Sequence, residues 1–134
     1  MYLIDTDIIS RLRKPERNPA LVDWLQRQRA ADLFLSVITI GEIERGIHLQ
    51  HGQDPEFAVQ LSDWLDRLLR IYSSRILKFD LNCARHWGRL SADVGNNSAD
   101  LLIAATALDR GLTVVTGNVR HFENTGAKTL NPLT

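Results

Sequence analysis

The sequence has 134 residues, of which 44% are hydrophobic and 24% charged, and its sixteen basic and sixteen acidic residues cancel. This length fits one domain, taken here as residues 1–134, and zero formal charge argues against a general nucleic-acid coat protein. No apolar run approaches the roughly 18 residues of a membrane span, and no signal peptide is evident. With Cys83 as the only cysteine, no disulfide framework is possible, so we expect a cytoplasmic protein.

Strand and helix patterns alternate along the chain. Short apolar runs are typical of buried strands, and apolar residues spaced by three and four are typical of helices. In chain order the sequence predicts a strand at 2–4, a helix at 6–13, a helix opened by Pro19, a strand at 33–37, helices at 39–49 and 56–72, a strand at 76–79, a helix capped by Asp80, a helix at 99–109, and strands at 112–116 and 128–130.

This alternation predicts an α/β fold in one domain. Strands joined through helices favour a central parallel sheet, here of four to five strands, with helices on both faces. The segment 99–109 is apolar on almost every side, so we expect this helix to be buried in the middle of the domain.

Polar side chains follow several of the predicted strands. Asp5 ends the first strand, Glu42 lies one turn into the helix after the second, and Asp100 opens the apolar helix. Asn118 follows the strand that ends at Thr116. Because the carboxyl ends of parallel strands meet at one edge of a sheet, we expect these groups to lie together.

Each of these residues also has an ordinary structural interpretation. Thr6 or Asp7 could cap the first helix, and residues 39–42 match a capping box with a threonine N-cap and a glutamate at N3. Asp100 suits the first turn of a helix through the helix dipole, and Asn118 suits a turn. Taken singly, each structural role explains its residue.

Taken together, the acids favour a metal site. Two carboxylates about 4 Å apart repel by roughly 4 kcal/mol at an effective dielectric near 20. Asp5, Glu42 and Asp100 at one edge therefore need protons or a cation, and oxygen ligands favour Mg²⁺ or Mn²⁺. Zinc is not expected, because no cysteine or third histidine stands at ligand spacing from His48 and His51.

Four segments of the chain resemble PIN-domain ribonucleases, and within that family the VapC toxins of bacterial toxin–antitoxin pairs. The segments are residues 2–7, 35–46, 99–107 and 115–122, and residues 130–132 are also similar to the family. They occur in the family's order and span almost the whole chain. The resemblance implies a PIN-like fold.

The resemblance also implies roles for individual residues. Asp5, Glu42 and Asp100 match the acidic metal ligands, and Asn118 stands at a fourth catalytic position that is often Asp. Because Asn118 is neutral, one and two bound ions are both compatible with the pattern. Supporting or positioning roles are expected for Thr6, Asp7, Thr116 and Arg120.

The function that the resemblance implies is that of a Mg²⁺- or Mn²⁺-dependent endoribonuclease, a hydrolase toxin that cuts RNA and inhibits translation. PIN nucleases are expected to leave a 3′-hydroxyl and a 5′-phosphate. The implied partners are RNA, a cognate VapB-like antitoxin that occludes the active site, operator DNA bound through the antitoxin complex, and a second copy in a homodimer. Transfer RNA and ribosomal RNA both fit as the target.

Two alternatives are compatible with parts of the sequence. The neutral Asn118 would suit a non-catalytic, PIN-like RNA-binding module with a degenerate metal site. Residues 4–7 also resemble the first motif of haloacid-dehalogenase-like phosphatases. Those enzymes need a lysine and a paired acidic motif, and this chain offers only Lys14, Lys78 and Lys128 and no adjacent acidic pair.

Overall fold

A parallel sheet organises the structure, a computed structural model that describes residues 1–133. The strand order across the sheet of this described region is β3-β2-β1-β4-β5, and each neighbouring pair is parallel. β1 therefore comes first in the chain and lies at the centre of the sheet. The strands are β1 Tyr2–Ile4, β2 Leu33–Ser36, β3 Ile76–Leu77, β4 Thr113–Val115 and β5 Thr129–Leu130.

Helices fill the connections between the strands. In the part of the chain that the structure describes, none of them is long and apolar enough to cross a membrane. Short 3-10 helices occur as well, including one at Val119–Phe122 after β4. The α-helices are α1 Thr6–Arg11, α2 Pro19–Gln26, α3 Val37–His51, α4 Pro55–Tyr72, α5 Leu81–Val94 and α6 Ala99–Arg110.

Both faces of the sheet are covered, as the alternation of elements predicts. Successive side chains of a strand point to opposite faces. Ile4 and Val115 belong to a buried cluster with residues of α1 to α4, whereas Leu3 and Val114 belong to a second cluster with residues of α5 and α6. The fold is thus the predicted α/β sandwich of helices around a five-stranded sheet.

The predicted burial of α6 is confirmed. Its interior residues from Ile103 to Ala107 are all buried, and the helix ends at Gly111, whose φ of +66° is readily adopted by glycine. A helix held this firmly gives Asp100, in its first turn, a fixed position relative to the sheet.

The boundaries of α3 and α1 differ from the prediction. Ser36, not Thr39, caps α3, because its Oγ accepts a hydrogen bond of 3.0 Å from the Ile38 N–H and the chain is already helical at Val37. The capping-box interpretation of Thr39 is therefore wrong, and Thr39 is a buried residue of the first turn. α1 ends at Arg11, and Asp5 caps it instead of a later residue.

Candidate metal centre

Asp5 lies at the carboxyl end of the central strand, and each of its two carboxylate oxygens accepts a hydrogen bond. Its backbone N–H donates to the Val115 carbonyl at 2.9 Å, which continues the pairing of β1 with β4. Its Oδ1 accepts from the Thr6 N–H and its Oδ2 from the Thr116 hydroxyl, each at 2.8 Å. The residue is only 3% exposed, so this is a buried carboxylate fixed in one orientation.

The loop after β4 brings Asn118 and Asp7 to the same place. The Thr116 hydroxyl, which donates to Asp5, accepts a hydrogen bond of 2.9 Å from the Asn118 N–H. Asp7 Oδ2 accepts from the Gly117 N–H at 3.0 Å and from Asn118 Nδ2 at 3.4 Å. Asp7 thereby ties the first turn of α1 to this loop and positions Asn118.

Glu42 reaches the site through the Thr6 hydroxyl. This hydroxyl donates to Glu42 Oε1 at 2.7 Å and lies 2.9 Å from the Thr39 hydroxyl. Thr39 and Glu42 are three residues apart on α3 and so lie on one face of the helix. Thr6 therefore bridges two of the predicted ligands, since its backbone N–H binds Asp5 and its side chain binds Glu42.

Asp100 has a partner that the sequence analysis did not single out. His121 Nδ1 lies 3.0 Å from Asp100 Oδ2, because the 3-10 helix Val119–Phe122 turns the chain back towards the start of α6. No periodicity or spacing in the sequence points to this pair. The only signal was that His121 lies within the family-like segment 115–122.

The charges of this cluster act on Asp5. Burial is the largest cause that raises the pKa of Asp5, and the nearby charges of Asp7 and Asp100 raise it further. The hydrogen bonds from Thr116 and the Thr6 backbone oppose these effects, and the resulting pKa is about 7. Burial thus opposes ionisation of the Asp5 carboxyl near neutral pH, and a cation bound beside it would favour the ionised form.

The donor chemistry of the site suits a divalent cation, but no three of the acids Asp5, Asp7, Glu42 and Asp100 bring ligand atoms within 4.8 Å of one another in residues 1–133. Within residues 1–133 no lysine or arginine nitrogen lies within 4 Å of the carboxylates of Asp5, Asp7, Glu42 or Asp100. The donors are carboxylate oxygens, which suit a hard cation such as Mg²⁺ or Mn²⁺. Arg120 is exposed, and its side chain makes no hydrogen bond to this cluster in the described region, so its role stays a prediction.

A second group of possible ligands lies at the other end of α6. Asp80, Cys83 and Asp109 bring ligand atoms within 4.8 Å of one another. Arg110 already pairs with Asp80 at 3.6 Å and with Asp109 at 3.4 Å, so a protein cation balances these acids. Nine residues of helix, about 13 Å, separate Asp109 from Asp100, and this group is therefore distinct from the metal centre.

Gly117 is a position where an added side chain would force two neighbouring side chains to move. A Cβ there would lie 2.9 Å from Asp7 Oδ2 and 2.9 Å from Leu133 Cδ1. We expect Gly117→Ala to push Asp7 off the Gly117 N–H and, through the loss of this hydrogen bond, to lower the free energy of unfolding by about 0.5–1.5 kcal/mol in urea denaturation. The matched substitution Gly88→Ala, in α5 with nothing within 4 Å, should instead raise it by about 0.5–1 kcal/mol. Equal effects of the two would contradict this account.

A fold of this topology with an acid cluster at the strand ends defines a nuclease-like domain, and comparison with known proteins gives its family. The PIN domain model matches residues 2–128, so the chain belongs to the PIN-domain family.

Named relatives place the chain near the VapC toxins. It is 34% identical to plasmid stability protein StbB of Pseudomonas syringae pv. tomato, over 98% of each chain. It is 31% identical to VapC ribonuclease Y4jK of Sinorhizobium fredii, over 98% of this chain and 97% of that protein. The crystal structure of FitAcB from Neisseria gonorrhoeae matches with a TM-score of 0.85 at 31% identity, over 98% of each chain. The resemblance seen in the sequence is thereby confirmed.

Proposed function

We propose that this protein is a Mg²⁺- or Mn²⁺-dependent endoribonuclease of the VapC type that hydrolyses RNA phosphodiester bonds and inhibits translation. The observation that carries the proposal is the buried Asp5, fixed by two hydrogen bonds and surrounded by the charges of Asp7 and Asp100. This cluster occurs in a chain similar along nearly its whole length to a VapC ribonuclease. Both facts support a catalytic site.

Each residue of the cluster has a defined part in the proposed mechanism. Asp5 and Asp100 would hold the cation, with Glu42 bound to it directly or through water. A divalent ion, when bound, activates water as a nucleophile and offsets the charge of the phosphate. The Thr116 hydroxyl fixes the orientation of Asp5, and the Thr6 hydroxyl fixes that of Glu42.

Asn118 is the fourth catalytic residue in this proposal. Its backbone N–H is held by the Thr116 hydroxyl and its Nδ2 by Asp7. Its carboxamide oxygen accepts no hydrogen bond from residues 1–133, so it can accept one from substrate. As a neutral group it orients the substrate without adding a charge to the site.

The proposal extends to partners. We expect a VapB-like antitoxin that covers the active site, binding of operator DNA through the antitoxin complex, a homodimer, and a cytoplasmic location. The gonococcal relative that is 31% identical over 98% of each chain is named toxin FitB. A structure of FitAB bound to a DNA fragment matches this chain with a TM-score of 0.86 at 28% identity, which supports the toxin–antitoxin assignment.

A cleavage assay on purified protein tests the proposal. End-labelled RNA is incubated with the protein and millimolar Mg²⁺ or Mn²⁺, with EDTA as one control and Asp5→Asn protein, purified identically, as the other. We expect internal cuts that leave a 3′-hydroxyl and a 5′-phosphate, and none with EDTA or the variant. Wild-type protein that binds RNA but does not cut it would favour the non-catalytic module.

A further inference from the structure

A cleft adjoins the acid cluster on the side of Asp100. Its volume is about 340 Å³, within the range of about 300–1,000 Å³ that small-molecule sites occupy. The cleft runs from Asp100 along the loop between α5 and α6. Its lining residues are Asn96, Asn97, Ser98, Asp100 and His121.

The side chains of the two asparagines of the loop differ in their hydrogen bonding. Asn96 Oδ1 accepts a hydrogen bond of 3.1 Å from the Ser98 N–H, which holds the turn before α6. The exposed Asn97 side chain makes no hydrogen bond to any residue in the range 1–133. Asn97 therefore presents a free donor and a free acceptor to the cleft.

The charge of the lining decides which part of a nucleotide fits. No lysine or arginine lines the cleft, and Asp100 adds negative charge, so a backbone phosphate is disfavoured there. A neutral base is compatible with this lining. A carboxamide can hydrogen-bond the edge of an unpaired base, and an imidazole can contact its face.

His121 lines the same cleft. Its side chain is 56% exposed, and the contact of Nδ1 with Asp100 fixes the ring at the mouth of the cleft. A second cleft of about 500 Å³ shares Asn96 and Asn97 with the first and continues towards α5. The two clefts therefore adjoin at Asn96 and Asn97.

We infer that Asn97 is a specificity-determining residue that hydrogen-bonds the base next to the scissile phosphate of a single-stranded RNA segment. The inference rests on the proposed function, since it places the substrate by its phosphate at the acid cluster. An unpaired segment is required because the base must turn out of a stack to enter the cleft.

Cut-site sequencing tests this inference. A pool of RNAs with random sequence is cleaved by wild-type protein, Asn97→Ala and the control Asn82→Ala, and the bases flanking each cut are counted. Asn82 is exposed on α5 and lines neither cleft. We expect a base preference at one position beside the cut in the wild type and in Asn82→Ala. In Asn97→Ala this preference should fall by about fivefold or more, with an unchanged melting temperature.

The outcomes separate the inference from the proposed function. Cleavage by Asn97→Ala with the wild-type base preference would overturn the role of Asn97 and leave the ribonuclease activity in place. Wild-type cleavage without preference at any flanking position would do the same. Absence of cleavage by the wild-type protein would overturn both.

Discussion

Replacing Asp5 or Asp100 with asparagine is expected to lower the rate of RNA cleavage by more than about 100-fold while the fold is kept. Loss of even an outer partner of a metal ligand typically reduces affinity or activity by 10–100-fold, and these residues are the proposed ligands themselves. Asparagine has the size of aspartate, and an amide at position 5 can still pair with Thr6 and Thr116. Initial rates at saturating Mg²⁺, with circular dichroism to confirm folding, measure the effect.

Asp93→Asn is the matched control for this comparison. Asp93 is exposed on α5, and its side chain makes no hydrogen bond or ion pair with any residue that the structure describes. Its substitution removes the same charge from the protein without touching the cluster, so the rate should stay within about twofold of the wild type. An Asp100→Asn protein that cuts RNA as fast as Asp93→Asn would rule out the proposed metal centre.

Without a divalent ion, the stability of the protein is expected to fall as the pH rises from about 4 to about 7. The pKa of Asp5 is about 7 in the folded protein against 3.8 for an unperturbed aspartate. Below pH 4 the Asp5 carboxyl is protonated in both the folded and the unfolded state, so its ionisation does not change the free energy of unfolding. Above pH 7 it is ionised in both states, and only the folded state has the cost of a buried charge. A difference of about three pKa units corresponds to a loss on the order of 4 kcal/mol.

Asp5→Asn isolates this effect, because the variant keeps every other titrating group. Urea denaturation in EDTA should show the difference in unfolding free energy between variant and wild type growing across that pH window, in favour of the variant. Millimolar Mg²⁺ should raise the melting temperature of the wild type but not of the variant, by binding the folded state alone. A difference that does not change with pH would mean that the Asp5 carboxyl ionises as readily in the fold as in the unfolded chain.

Much of the fold could be predicted because the determining signals are local. Apolar strands alternate with amphipathic helices, and the ends of parallel strands share an edge, which predicts both the α/β class and the position of Asn118 beside the residues that follow β1. The start of α3 could not be settled in this way, since Ser36 and Thr39 are both good capping residues. The outcome depends on β2, whose pairing with β3 ends at Ser36 opposite Leu77.

The detailed contacts of the site could not be predicted from the sequence for a similar reason. The contact between His121 and Asp100 and the hydroxyl bridge from Thr6 to Glu42 join residues that are far apart in the chain. Such contacts follow from how elements pack and leave no local pattern. Among the alternatives considered, the haloacid-dehalogenase interpretation of residues 4–7 is excluded by membership of the PIN-domain family.

The central place of β1 in the sheet determines when, during synthesis, the side chains around Asp5 can come together. During synthesis β1 gains one neighbour at β2, but its other edge stays open until β4 has been synthesised. The Thr116 hydroxyl that holds Asp5 comes from 111 residues further on. A polypeptide truncated before residue 113 lacks β4 and Thr116, so one edge of β1 stays unpaired and the hydroxyl that orients Asp5 is missing.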